Sequence, residues 1–449
     1  MRAKGAEFTP EMRKTHTIYL PNMLPYHGSM LCAAFRSAGF RLAIVPDAAE
    51  YPPETFTTVS QDYCSPGIHI IGNILALVRS PETDPERIAF LEPQSGGICK
   101  AGNLYHAIIN SLRRSGYSRI PVISLNPHSL ERHSGFRLTL PLLRSAVSAV
   151  VLSDLLMLLT LQTRPYETVP GSTDRLRRQW EQRLCHELER GRLVPLPMFL
   201  VRRILQSYRA LPVRRSGMPK RRVTISGEIY SKFAPSGNQG LEDFLREQNV
   251  EYRFGSFLNY LIYCVYTDRK VREIGLAPSR IRSRLRGAGA SGDAGASRSA
   301  FAFRTAGAFR TAGAFRSACA FRLRQQAWHL AEWYLCRLQR RVAGEVTAAG
   351  FVCDALFPEL ERYARGIISP DYNIGDGWLV AAEAADGIRK GYDRVLLCHP
   401  FTCLVSHVGS RGVIRKLKTA YPDARITSIE YDYYGSKAMR DSRILMGIS

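Results

Sequence analysis

The sequence predicts an α/β protein with two Rossmann-like parallel-sheet domains, additional helices and a low-complexity insertion. Two observations carry that prediction. Short apolar, β-branched runs alternate with helix-period stretches from His16 to Leu125, and the same alternation resumes at Val223. The turns between them are punctuated by Gly and Pro, as at the ends of strands that feed crossover helices.

In order, residues 16–21 read as a strand, 28–38 as a helix, 40–45 as a strand, 68–78 as a helix and 88–91 as a strand. Residues 104–115 are helical and 120–125 form a fourth strand. A helical stretch follows over 140–161, with further helices to about residue 209. A Pro- and Arg-rich connector over 211–222 leads to a second unit. Its strands are expected at 223–228, 250–254, 394–397 and 424–429, with helices at 240–248 and 411–421. The expected division is residues 1–210, a linker 211–222, and a second α/β domain 223–449.

The second domain is interrupted at 277–326 by a tract expected to be disordered. It contains a tandem repeat of Ala-Phe-Arg-Thr-Ala-Gly and its variants from Ala302. A six-residue period matches no solenoid repeat, so a low-complexity loop is expected. Just before it, Gly287-Ala-Gly-Ala-Ser-Gly292 satisfies G-x-G-x-x-G but follows Arg-Ser-Arg-Leu-Arg instead of an apolar strand, which excludes a dinucleotide loop.

Composition narrows the class. The chain has 449 residues, 45% of them hydrophobic, and a net charge of +23. The tract 277–326 holds ten arginines against one acid, Asp293, and the rest of the excess is dispersed. No nucleic-acid motif accompanies it, so a specific nucleic-acid partner is not expected. The most apolar stretch, 145–161, carries Asp154 at its middle, which favours a buried helix over a membrane span. Ten cysteines without regular spacing read as reduced thiols in a cytoplasm.

Three of those cysteines share a context. Cys64 lies in Asp-Tyr-Cys-Ser-Pro-Gly, Cys99 in Gly-Gly-Ile-Cys-Lys-Ala-Gly, and Cys403 in Pro-Phe-Thr-Cys-Leu. Each sits in a turn close to a strand, where α/β folds present ligands. Thiolates converging there would make an iron–sulfur or other metal site with one position open. Cys32, Cys185, Cys264, Cys336 and Cys353 lie in apolar or helix-period stretches, where cysteine acts as a small hydrophobe. A rival local set, Cys398, His399, Cys403 and His407, has spacing that zinc could use; hydrogen bonding in the turn is the simpler expectation for both histidines. Glu228, Asp376 and Glu383 flank turns as acid–base candidates, with helix capping expected of Asp376 and Glu383. The Gly96-Gly97 turn could bring backbone amides to cluster sulfides or an anionic ligand.

Several motifs together resemble activase-related proteins of the 2-hydroxyacyl-CoA dehydratase superfamily. They are His16-Thr-Ile-Tyr-Leu-Pro-Asn-Met, Leu31-Cys-Ala-Ala-Phe-Arg-Ser-Ala-Gly39, Pro93-Gln-Ser-Gly-Gly-Ile-Cys-Lys-Ala-Gly-Asn103 and Arg164-Pro-Tyr-Glu167. Gly227-Glu-Ile229, Gly375-Asp-Gly-Trp-Leu379, Ala382-Glu383 and Pro400-Phe-Thr-Cys403 continue the pattern. It ends with His407-Val408, Gly412-Val-Ile-Arg-Lys416 and Tyr431-Asp432.

The resemblance implies a 4Fe–4S cluster held by Cys64, Cys99 and Cys403. It further implies low-potential electron transfer from a separate ATP-dependent activator, or radical dehydration of an acyl-CoA by a lyase. The alternative is a non-catalytic module that retains the fold and binds a metal such as zinc, or a partner, or forms an oligomer. The chain departs from the family at Asp376, where Glu is usual, and after Asp432, where Tyr-Tyr-Gly replaces Pro-Gly-Ala. It has no Walker A pattern of its own.

Overall fold

The computed structural model describes residues 5–59, 63–93, 99–125, 133–214, 220–275 and 312–449. The eight strands read from the sequence form two four-stranded sheets, parallel throughout. The first contains β1 (Thr17–Leu20), β2 (Arg41–Ile44), β3 (Ile88–Pro93) and β4 (Val122–Leu125). The second contains β5 (Arg222–Gly227), β6 (Glu251–Phe254), β7 (Arg394–Pro400) and β8 (Arg425–Tyr431). The spatial orders are β2-β1-β3-β4 and β6-β5-β7-β8, so the second sheet repeats the topology of the first. In each, the chain reverses its direction of sheet growth between the first and third strands. That switch point is where a doubly wound sheet opens a crevice at its strand ends.

Alternation along β3 explains the covering layers. Ile88 and Phe90 pack with Ile71, Ile74 and Ile108 on one face. Ala89 and Leu91 pack with Phe8, Phe35 and Cys32 on the other. A strand apolar at four successive positions, Ile88 to Leu91, belongs in a sheet covered on both sides. Cys32 thus behaves as the small hydrophobe expected of it. In the second sheet, Val395 and Leu397 pack against Val380, Ala381 and Ala384.

The long apolar helix, Leu140–Thr163, is buried along most of its length. The segment Leu140–Tyr166 is long and apolar enough to cross a membrane, yet 72% of its most apolar window is buried inside the protein. Asp154, at its middle, accepts hydrogen bonds from the backbone amides of Phe257 (2.9 Å) and Leu258 (2.8 Å). It also pairs with His27 Nε2 at 2.9 Å. A carboxylate is tolerated in this apolar helix because it caps the opening turn of another one.

By internal compactness, one unit comprises residues 1–259 and 341–449 and holds both sheets; the other comprises residues 260–340. The latter holds most of helix Phe257–Gly275 and the first part of helix Ala312–Ala348, with Arg269 paired to Glu332 at 2.8 Å. Of the tract 277–326 expected to be disordered, 277–311 lies outside the described residues. Residues 312–326 form the opening of the Ala312–Ala348 helix, consistent with their alanine content.

Candidate functional site

Each of the three turn cysteines caps a helix. Cys64 is the N-cap of Ser65–Arg79, with an extended backbone and Pro66 in the first helical turn. The sequence reading began this helix three residues later. Cys99 caps the 3₁₀ turn Lys100–Asn103, which runs into helix Leu104–Arg114. Cys403 caps Leu404–Gly409, a short helix the sequence reading did not include, and its Sγ accepts the Ser406 amide at 3.4 Å.

The immediate neighbours of the three cysteines form a closed ring of hydrogen bonds. Tyr63 donates its hydroxyl to the Lys100 carbonyl at 3.0 Å. Lys100 Nζ donates to the Thr402 carbonyl at 3.3 Å. Thr402 Oγ1 donates to the Tyr63 carbonyl at 3.0 Å. Three loops far apart in sequence are thereby tied side by side at the strand ends. Tyr63 is held there partly by Gly67: a Cβ at that position would lie 2.3 Å from the Tyr63 ring. Thr402 has φ +58°, a left-handed conformation uncommon for a β-branched residue. Such strain persists only where the surroundings over-determine it, and the ring does so here.

The electrostatics report the same proximity. Burial pushes the Cys64 thiol up to about 12, with Glu228 and Cys99 adding to the rise, while the Gly67 amide and Lys100 oppose it. Burial likewise pushes Cys403 up to about 12, with Glu228 and Cys64 adding to it. Tyr372 is raised chiefly by burial and also senses both Cys403 and Cys99. These shifts oppose nucleophilic use, which requires a lowered thiol pKa. A buried, protonated thiol either stays inert or gives up its proton to a metal.

The donor set fits an iron–sulfur cluster in its chemistry: three soft thiols on adjacent, rigidly capped loops. Among the described residues, no three His, Cys, Asp or Glu side chains are gathered so as to hold a single metal ion. A mononuclear site needs its sulfurs at about 2.3 Å from one centre, whereas a multi-iron cluster takes each thiolate on its own iron, so that its sulfurs stand farther apart. Gly96 and Gly97 lie outside the described residues.

The acids sort differently from the sequence expectation. Capping was expected of Asp376 and Glu383: Asp376 accepts the amide of Ile229, the first residue of helix Ile229–Phe233, whereas Glu383 caps nothing, the N-cap of helix Leu379–Arg389 being Trp378 with no side-chain cap. Glu228 is the N-cap of Ile229–Phe233: its carboxylate accepts the amides of Tyr230 (3.1 Å) and Ser231 (2.8 Å). Its place at the end of β5 depends on Gly227, with φ +149°, where a Cβ would lie 1.9 Å from the Cys398 carbonyl. That same carbonyl accepts the Glu228 amide at 3.0 Å.

Glu383 lies inside the Leu379–Arg389 helix, buried and paired with Lys232 Nζ at 2.9 Å. Burial raises the pKa values of Glu228 and Glu383, and raises Asp376 well above the carboxylate range with Glu228 adding to it. Lys232 was not singled out in the sequence, although it lies four residues after Glu228, one helical turn on.

The rival set is gathered only in part: the rings of His399 and His407 lie 5.6 Å apart and both approach Glu430 Oε1, at 3.9 and 3.7 Å, while the cysteines engage elsewhere. Cys398 and His399 are consecutive in β7 and so point to opposite faces. Cys398 Sγ donates to Tyr431 at 3.8 Å, and His399 Nε2 bonds Ser428 at 2.6 Å. Burial lowers the His399 pKa to about 4. His407 Nδ1 donates to the Cys403 carbonyl at 2.7 Å, the turn bond expected of it. Compared with known proteins, the chain matches no family model and no curated protein.

Proposed function

We propose that this chain is an iron–sulfur protein of the 2-hydroxyacyl-CoA dehydratase type. Cys64, Cys99 and Cys403 would hold a 4Fe–4S cluster, and the chain would serve activator-dependent electron transfer or radical dehydration of an acyl-CoA. The observation that supports this reading best is the hydrogen-bonded ring of Tyr63, Lys100 and Thr402, each adjacent to one cysteine. When bound, such a cluster supplies one low-potential electron and an iron with an open position that polarises a substrate oxygen.

The chain's own residues have separable tasks. The three loops hold the thiols at helix starts, where backbone amides favour negative charge on sulfur. Lys100 brings a cation beside Cys64. Glu228, held by two amides with its pKa raised by burial, places a carboxyl next to the thiols. The Lys232–Glu383 pair neutralises itself beneath this layer.

The test is anaerobic purification followed by iron and sulfide analysis and EPR. A brown protein is expected, whose cluster is lost on Cys64→Ser, Cys99→Ser or Cys403→Ser and kept on Cys32→Ser or Cys185→Ser. Stoichiometric zinc without iron, or a cluster indifferent to all three changes, would overturn the reading.

A further inference from the structure

A cavity of about 320 Å³, with none of the cysteine loops in its lining, is walled by Arg164, Arg177, Arg178 and Arg246 together with Tyr26 and Glu242. The arginines come from three separate stretches of chain: the end of the long apolar helix, the Ser172–Glu189 helix and the Leu241–Glu247 helix. Several are fixed from behind. Arg164 donates to Asp174 at 2.9 Å and to the Tyr252 hydroxyl at 3.3 Å. Arg177 donates to Glu181 at 2.6 Å and lies over the Tyr26 ring at 5.7 Å. Tyr26 and Tyr252 both donate to the same oxygen of Glu242, at 2.7 and 2.9 Å.

The hydrogen-bonding inventory is lopsided. Each guanidinium carries five N–H donors and no acceptor. The acids lining the cavity are Asp174, Glu242 and Asp243, and Glu242 already serves two hydroxyls. Arg164 Nε and Arg177 Nε, both buried, find no acceptor among the described residues. Arg246 contacts Asp243 at 3.4 Å and also engages the Tyr252 hydroxyl, and Arg178 is exposed with no ion pair among the described residues. Arg164 and Arg246 are close enough for their like charges to repel. The fold therefore holds four guanidinium groups around a space whose three carboxylates are already engaged, Asp174 by Arg164, Asp243 by Arg246 and Glu242 by two hydroxyls. The ligand that completes such a wall is rich in acceptors, carries negative charge and is planar or tetrahedral enough for fork-shaped donors.

We propose that this cavity binds a phosphorylated ligand, its phosphate or diphosphate oxygens taken by Arg178 and Arg246, with Arg164 and Arg177 adding positive charge in the wall. The volume lies within the range of small-ligand sites. The proposal stands apart from the cluster reading, since it uses none of the cysteine loops.

Isothermal titration of the full chain with pyrophosphate, ADP, coenzyme A and 3′-dephospho-coenzyme A tests it. Wild type should bind at least one probe saturably. The double variant Arg178→Ala/Arg246→Ala should weaken that binding about tenfold or more, each lost charge-assisted contact being worth about a factor of ten. A control, Arg362→Ala/Arg365→Ala, removes the same charge from another helix and should leave affinity unchanged. Tighter binding of coenzyme A and ADP than of pyrophosphate would assign the phosphate to a nucleotide, and equal binding would assign it to free phosphate. No saturable binding of any probe, or equal loss in the control, would overturn the site. Iron content should be unaffected by the double variant, and Cys64→Ser should retain probe binding, which separates this test from that of the cluster.

Discussion

The two sheets share one strand order, yet they end their second crossovers differently. After the third strand both halves do the same thing: β3 leads to Cys99 and β7 to Cys403, each the N-cap of a helical turn. After the second strand they part. The first half runs on to Cys64, which caps Ser65–Arg79 with a thiol beside the other two. The second half passes from β6 through Gly255 and Ser256 into helix Phe257–Gly275, whose first amides are taken by carboxylates. Asp354 accepts the Ser256 amide at 2.8 Å, and Asp154 accepts those of Phe257 and Leu258. A duplicated topology would offer four equivalent cysteine positions. This chain uses three, and carboxylate caps occupy the fourth. An open position on a four-iron cluster would leave three thiolate ligands, so the asymmetry bears on the proposed chemistry.

Removing the carboxylate cap should break the second half hardest. Asp154→Ala leaves the amides of Phe257 and Leu258 and the buried His27 without their shared partner. A loss of about 3–5 kcal/mol is expected, as for other buried charged partners. Urea denaturation measures it, and a loss under about 1 kcal/mol would mean that Asp154 is not the cap its geometry indicates.

A pH series sharpens the contrast further. Burial, reinforced by Glu228, holds the Asp376 carboxyl well above its ordinary value in the folded chain. Above the ordinary carboxylate range the unfolded chain has lost this proton while the folded chain keeps it. Stability contributed by Asp376 is therefore full at acid pH and is lost as pH rises toward the folded value, by up to about 1.4 kcal/mol per pH unit. Asp376→Asn should flatten that decline above the ordinary carboxylate range, and parallel profiles for variant and wild type would refute the assignment.

The smallest effect is expected in the first half. Tyr63→Phe removes one bond of the ring at a cost of about 1 kcal/mol. It should lower iron retention under chelator challenge without changing the spectrum of the bound cluster. Unchanged retention would mean that the ring does not hold the three loops in register.

The architecture was legible because its signals are local. Apolar runs bounded by Gly and Pro located all eight strands, and the turn context separated Cys64, Cys99 and Cys403 from the packed Cys32. The acids were harder to read. Glu383 looked like a cap because it follows a turn, but it lies mid-helix in an ion pair with Lys232, 151 residues earlier in the chain. Asp154 could be recognised as out of place in an apolar helix, while its partners at 257 and 258 could not be named.

By itself the sequence determined the alternation of strands and helices, the parallel class of the sheets and the positions of the thiols at turns. These follow from side-chain period, backbone permissiveness and capping, which act over a few residues. The tertiary structure alone decided that Tyr63, Lys100 and Thr402 close on one another across separations of up to 339 residues. It likewise decided that Asp154 caps a distant helix and that four arginines face one cavity. Buried hydrogen-bonding groups must find partners wherever the packed chain brings them, and nothing in the neighbouring sequence says where that is.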